Sequence, residues 1–188
     1  MLRSKAAPLV ACALALWAQS AQALVMEGLS REDLTRHADA VVRAVVIDHT
    51  THNVERRGLW TDFDVKVIET IKGSPRAGEH LSIGQFGGTL NGRTQTIPGD
   101  AVLRSGEEVI VFLRKVPQGF VLTEFCQAKF HVEHDPIAGA ALVSRDFGAT
   151  AFVQRGPGGA KPAAPPENQV ETLDDFRAEI QSYVKVSR

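Results

Sequence analysis

Six histidines and two cysteines are the residues of this 188-residue chain whose chemistry would be most distinctive, and their spacing decides what they can do. His49-Thr50-Thr51-His52 and His131-Val132-Glu133-His134 each set two imidazoles three positions apart. On a helix that spacing gathers both rings on one face as metal ligands. Both pairs, however, fall in or beside stretches that read as strands, where partners three apart point to opposite sides. His131, Glu133 and Asp135 alternate and share one strand face, which makes them weak metal candidates; the competing reading is a solvated strand face opposite an inner face of Phe130 and Val132. Neither His-Glu-x-x-His nor Gly-x-Ser-x-Gly occurs, so Cys126 with His131 or His134 is the thiol pairing left for nucleophilic catalysis. Cys126 sits in Phe-Val-Leu-Thr-Glu-Phe-Cys, where a thiol packs as a small hydrophobe, and burial is the expected state. No catalytic residue, metal or other cofactor is assigned. Gly87-Gly88 lacks a following Lys-Ser or Lys-Thr and does not open a helix, which argues against a phosphate-binding loop.

The elements that would carry these residues are mostly strands. Ser30-Arg31-Glu32-Asp33 places a hydroxyl cap three residues before a carboxylate, predicting a short helix from Arg31 to about Ala38. Val41 to Asp48 and Leu59 to Lys72 are rich in branched residues. Phe63, Val65, Val67 and Ile71 share one parity, as a half-buried strand requires. Asn53 to Gly58 is the expected loop between them, and Lys72-Gly73-Ser74-Pro75 the stop. Further strands are expected at His80 to Phe86, Glu108 to Arg114, Gly119 to Phe125 and Ala128 to Glu133, with Val116-Pro117-Gln118-Gly119 as a hairpin turn. The stretch from Gly87 to Gly92, leading into Pro98-Gly99-Asp100, serves as a functional loop or as a flexible crossover. Residues 156–170 read as a Pro/Gly-rich linker between a domain at 24–155 and a helix at 171–188. Thr172 and Asp175 cap that helix, and Leu173, Phe176, Ile180, Tyr183 and Val184 line one face, which either docks on the domain or reaches a partner.

Ala38-Asp39-Ala40-Val41-Val42-Arg43-Ala44-Val45, a polar loop, and a long strand ending in Ile71-Lys72-Gly73 resemble the netrin-like module best known from the tissue inhibitors of metalloproteinases. Gly87-Gly88 and Gly106-Glu107-Glu108-Val109-Ile110-Val111-Phe112-Leu113 resemble segments of exported bacterial proteins. The resemblance implies a mainly β fold: an OB-like (netrin-like) closed antiparallel barrel with a short N-terminal helix and a C-terminal amphipathic helix. Those inhibitors begin at a cysteine that chelates the protease zinc, and no residue here matches it, so no functional site is carried over.

Arg3 and Lys5, the apolar stretch Ala6 to Ala18, and Ala21-Gln22-Ala23 form the pattern of a signal peptide, residues 1–23, cleaved after Ala23. At about a dozen residues the apolar stretch falls short of the roughly 20 needed to span a bilayer, so no transmembrane anchor is expected. Leu9-Val10-Ala11-Cys12 offers a lipid anchor on Cys12, but the cysteine comes too early in the stretch. Cleavage leaves 165 residues carrying 19 basic against 22 acidic side chains, a net charge of −3, with Cys126 as the remaining thiol and no internal disulfide. That charge argues against nucleic acid as a partner. Trp60 lies on the opposite parity from Phe63 and near a loop, so Trp60, Gly87, Gly88, Asn91 and Arg93 form the tentative binding surface. The expectation is a non-enzymatic, protein-binding module of the periplasm or exterior, with an exported protease as first bait. A metal-dependent or thiol enzyme, and an accessory of an envelope complex docking through its C-terminal helix, are the alternatives.

Overall fold

The computed structural model describes residues 24–137 and 139–186; residues 1–23, on which the expected signal peptide and Cys12 fall, lie outside the described residues. The chain runs β1 (Val25–Glu27), α1 (Arg31–His37), β2 (Ala40–Val54), β3 (Gly58–Lys72), β4 (His80–Phe86), β5 (Gly88–Leu90), β6 (Arg93–Gln95), β7 (Glu108–Val116) and β8 (Gly119–Leu122). A 3₁₀ turn (Phe125–Ala128) leads to β9 (Lys129–His134), β10 (Ala141–Ser144), β11 (Ala151–Gly156), β12 (Gly159–Ala163), β13 (Glu171–Thr172) and α2 (Leu173–Val186). The protein is mainly β with two helices among the described residues, and none of these is long and apolar enough to cross a membrane.

Ser30 caps α1 as its sequence predicts, its Oγ accepting the Asp33 amide at 3.0 Å. β2 and β3 form one long hairpin whose turn is narrower than expected, since β2 continues to Val54 and β3 starts at Gly58. Three register shifts near the base of the hairpin add local twist, which helps it curl. Phe63, Val65, Val67 and Ile71 do point into the core.

The sheet order is β13-β10-β9-β7-β2-β3-β4-β8, with β8 pairing back to β7. Five strands, β7-β2-β3-β4-β8, thus make a ring. The closed antiparallel barrel expected from sequence is corrected to this ring. Neighbours around an odd number of strands cannot all run antiparallel, and the exception falls between β4 and β8, which are parallel over Ile83↔Phe120 and Gly84↔Val121.

β7 is where the ring branches. Its one edge pairs with β2, while the other pairs with β9 through Val109 to Val111 and with β8 from Leu113 onward. Val109, Ile110, Val111, Phe112 and Leu113 are all fully buried, because ring interior covers one face and the helices cover the other. On the helix side Phe112, Phe130 and Phe176 form a chain of rings with centroids 5.6 and 4.8 Å apart. α2 lays Leu173, Phe176 and Ile180 into this layer, its start capped by the Thr172 hydroxyl on the Asp175 amide.

Two stretches differ from the sequence reading. Glu124 to Ala128 leaves the strand for the 3₁₀ turn, putting Cys126 at the gap between β8 and β9. The first half of the 156–170 stretch is structured: β12 pairs antiparallel to β11, and β1 joins β11 in parallel to complete a small separate sheet. Its proline and glycine content suits this edge because Pro162 sits on an outermost strand and Pro157-Gly158 lies at the turn. Phe176→Ala should therefore cost about 3–5 kcal/mol. A fall in the urea midpoint at constant slope would show it, and an unchanged midpoint would contradict the packing described.

Candidate functional site

One end of the ring gathers the residues marked as a binding surface. Trp60 pairs in register with Phe86 on β4 and with His52 on β2. It is half-buried and not a free anchor: its indole lies flat against Gly84, where a Cβ would come within 2.2 Å, and its Nε1 donates to Asp62 at 2.8 Å. Phe86 meets it edge-on with centroids 4.7 Å apart and is itself 44% exposed. Asp62 and Asp64 follow on the same face as Trp60, with His80 Nδ1 2.9 Å from Asp64.

The glycine-rich stretch beside this pair is a hairpin, β5–β6, and not a loop. Asn91 (φ +50°) and Gly92 (φ +75°) supply the two positive φ angles that a tight turn of this kind needs. Asn91 and Arg93 are exposed at its tip. Gly87 and Gly88 are structural: at Gly88 (φ +121°) a Cβ would fall 2.2 Å from Thr61 Oγ1, because the chain crosses directly over the Thr51–Thr61 hydroxyl pair. Thr61 Oγ1 also donates to the Gly87 carbonyl at 2.8 Å.

A second feature, which the sequence reading did not assemble, is a cleft of about 280 Å³ walled by the connection after β6, the 3₁₀ turn and the loop after β10. Leu24, Asp100, Cys126, Lys129, His131 and Asp146 line it. Glu107 Oε1 lies 2.6 Å from both Lys129 Nζ and His131 Nδ1, and Lys129 also donates to the Val102 carbonyl. Burial holds the Lys129 ammonium below the usual lysine range against the opposing pull of Glu107. Burial also raises the carboxyl of Asp100, and among the described residues no cation pairs with it. Cys126 is buried, its Sγ 3.6 Å from Thr150 Oγ1, and burial pushes its thiol up.

His131 and Glu133 lie on β9 and Asp135 just beyond its end, and their surroundings separate them. His131 turns to Glu107, Glu133 is exposed, and Asp135 accepts from the Ile137 amide at 2.7 Å. No three metal-ligating side chains converge among the described residues. Cys126 and His131 line one cleft, whereas His134 lies outside it with Glu108 at 3.1 Å.

Arg145 was given no role by the sequence, yet it is 3% exposed and stacks between Phe130 and Phe147, 4.7 and 4.5 Å from their centroids. Its Nη2 donates to the Glu167 carbonyl at 2.6 Å, and burial together with the nearby Arg31 charge lowers it to about 10. No protein-family model and no curated protein matches the chain.

A thiolate, not a thiol, is the reactive form, so the environment of Cys126 makes it inert. At pH 8 the folded protein should react with a thiol reagent at least about tenfold more slowly than the urea-unfolded chain. Equal rates, followed by mass spectrometry, would show that the cleft activates the sulfur.

Proposed function

We propose that this chain is an exported, non-enzymatic binding module with an OB-like ring, and that it holds a protein partner on the end built by Trp60, Phe86 and the β5–β6 hairpin. The observation that carries this reading is Phe86, an exposed aromatic braced edge-on by Trp60 and sharing a hollow with the exposed Thr89 and Thr94 of the β5–β6 hairpin. A rigid apolar anchor within a polar rim is the arrangement that concentrates binding energy in protein interfaces.

The ring order β7-β2-β3-β4-β8 favours the OB-like assignment, and with it the netrin-like resemblance. OB folds bind ligands on the face of their second and third strands, which here are β3 and β4, the strands bearing Trp60 and Phe86. Asp62 and Asp64 on that face oppose a polyanion, which favours protein over nucleic acid. Export rests on the pattern at residues 1–23, and it makes an exported protease the natural first bait in the periplasm or exterior.

Cys126 and His131 lining one cleft favours a thiol enzyme as the second reading. Against it stands burial, which raises the Cys126 thiol and disfavours the thiolate. The accessory reading loses ground for another reason: Leu173, Phe176 and Ile180 of α2 are buried in the chain's own core, so most of that apolar face is already occupied.

Affinity capture from envelope and secreted fractions, followed by reconstitution with the identified partner, tests the proposal. Phe86→Ala should weaken binding by about 30-fold, the scale of an interface hot spot, while the melting temperature stays put. A partner whose affinity ignores Phe86→Ala and Arg93→Glu alike would sink the assignment of this surface.

A further inference from the structure

The sheet face that carries Trp60 and Phe86 continues into rows of carboxylates. Beyond its last register shift the β2–β3 pairing sets His52 opposite Trp60, Thr50 opposite Asp62 and Asp48 opposite Asp64. On the other side of the same three β3 residues, β4 places Phe86, Gly84 and Ser82. Strand alternation therefore puts Asp48, Asp62 and Asp64 on one face with the two aromatic rings. The side chains of Asp62 and Asp64 are 41% and 46% exposed, and Asp48 is exposed. Among the described residues none of the three pairs with a lysine or arginine. Trp60 Nε1 and His52 meet Asp62, His80 meets Asp64, and the His49 amide donates to Asp48.

Two features make this distribution unusual. Asp48 faces Asp64 directly across the strands, a like-charge pairing that costs stability. Between Trp60 and Lys66 the face also sets three carboxylates, Asp48, Asp62 and Asp64, against one permanent cation, Lys66, beside an exposed aromatic ring. Arg56 and Arg57, with Glu55, stand beyond Trp60 in the β2–β3 turn, at the opposite end from the carboxylates.

We propose that the partner docks here through an extended, basic segment: an apolar side chain seats on Phe86, and Lys or Arg side chains two and four residues along reach Asp62 and then the Asp48–Asp64 pair. The inference rests on the reading of this end as a protein-binding surface and names the chemistry of what it holds. An extended chain advances about as fast as β3 does, roughly 6.8 Å for each pair of residues, so the aromatic row and the two carboxylate rows meet alternate side chains of one segment. A cation over Asp48 and Asp64 removes the repulsion that the free protein carries. The net positive turn beyond Trp60 opposes basic residues on the other side of the anchor, so charge fixes the direction of the segment as well as its composition.

Random peptides displayed on phage, selected against the purified protein, supply the probe: the consensus sequence is synthesised and its affinity measured by fluorescence anisotropy. The selected sequences should carry an apolar residue with Lys or Arg at two- and four-residue spacing to one side. At about pH 7.5, where imidazole is mostly neutral, the Asp62→Asn/Asp64→Asn double variant should bind the probe about tenfold more weakly. Raising salt from about 0.05 to about 0.5 M should weaken the parent by about threefold or more. Asparagine keeps an oxygen to accept from Trp60 Nε1, and Asp174→Asn, at a side chain 85% exposed on α2, should leave affinity unchanged. A consensus without basic residues, or an affinity indifferent to the double variant when circular dichroism shows it folded, overturns the inference. Phe86→Ala separates the two levels. Binding lost there but kept in the double variant leaves the surface standing and refutes its basic ligand, whereas binding that ignores Phe86→Ala refutes the surface and the inference with it.

Discussion

The outer layer of this protein is organised around Phe130, whose ring lies between two buried guanidinium groups. Arg145 stands 4.7 Å from its centroid and Arg31 5.9 Å, while Phe176 of α2 closes a further side at 4.8 Å. Arg31 is paired with Glu171 and Glu179, so the cluster holds two cations and two carboxylates and is neutral as a whole. Charges this deep are costly alone and tolerable only when paired and faced by aromatic rings or carbonyls. Removing Phe130 would therefore uncouple α1, α2, β9 and the segment after β12 at once. This is how residues far apart in sequence form one wall, and why the 164–170 segment, whose Glu167 carbonyl and Asn168 side chain hold Arg145, does not behave as a tether.

The ring imposes the second constraint. Five strands leave one parallel junction, and β8 is too short to cover the whole free edge of β7. β9 takes the remainder, and the 3₁₀ turn bridges the gap between them. That gap is where the cleft opens. Lys129 and His131 line it because they share a parity with the inward Val109 and Val111 across the β7–β9 register. Polar groups that alternation would otherwise send to solvent thus reach a partly enclosed space, and Glu107 lies between them as their shared partner.

The β2–β3 hairpin, both helix caps and the Val116–Gly119 turn were legible in the sequence, since each depends on neighbours a few residues away. The β5–β6 hairpin has a local signal too: Asn91-Gly92 between Thr-bearing flanks is a strong two-residue turn, although the glycines before it resemble loop composition. The edge strand β12 was hidden because its proline and glycine look like linker composition, and only its pairing to β11 makes them acceptable. Arg145 and Asp100 could not be read at all. Their character comes from burial by residues distant in sequence, and one-dimensional spacing carries no record of that.

Both features of the site lean on the same stretch of chain. Thr96, Ile97, Asp100, Ala101 and Val102 border the cleft and also a second hollow of about 240 Å³ beneath the β5–β6 hairpin, which Phe86 and Gly88 line. This connection has no strand partners. It is fixed by the Gln85 side chain on the Ala101 carbonyl at 2.7 Å, by the Cys126 amide on the Gly99 carbonyl at 3.1 Å, and by Lys129 on Val102. Those three bonds come from β4, from the 3₁₀ turn and from β9, so they tie the aromatic end to the charged cleft through a segment with little rigidity of its own. A ligand that moves Phe86 acts on the strand that carries Gln85, and Gln85 is the residue that braces the connection at Ala101, next to Asp100. The aromatic surface and the cleft are for that reason two faces of one mechanical unit, with Asp100 at their boundary.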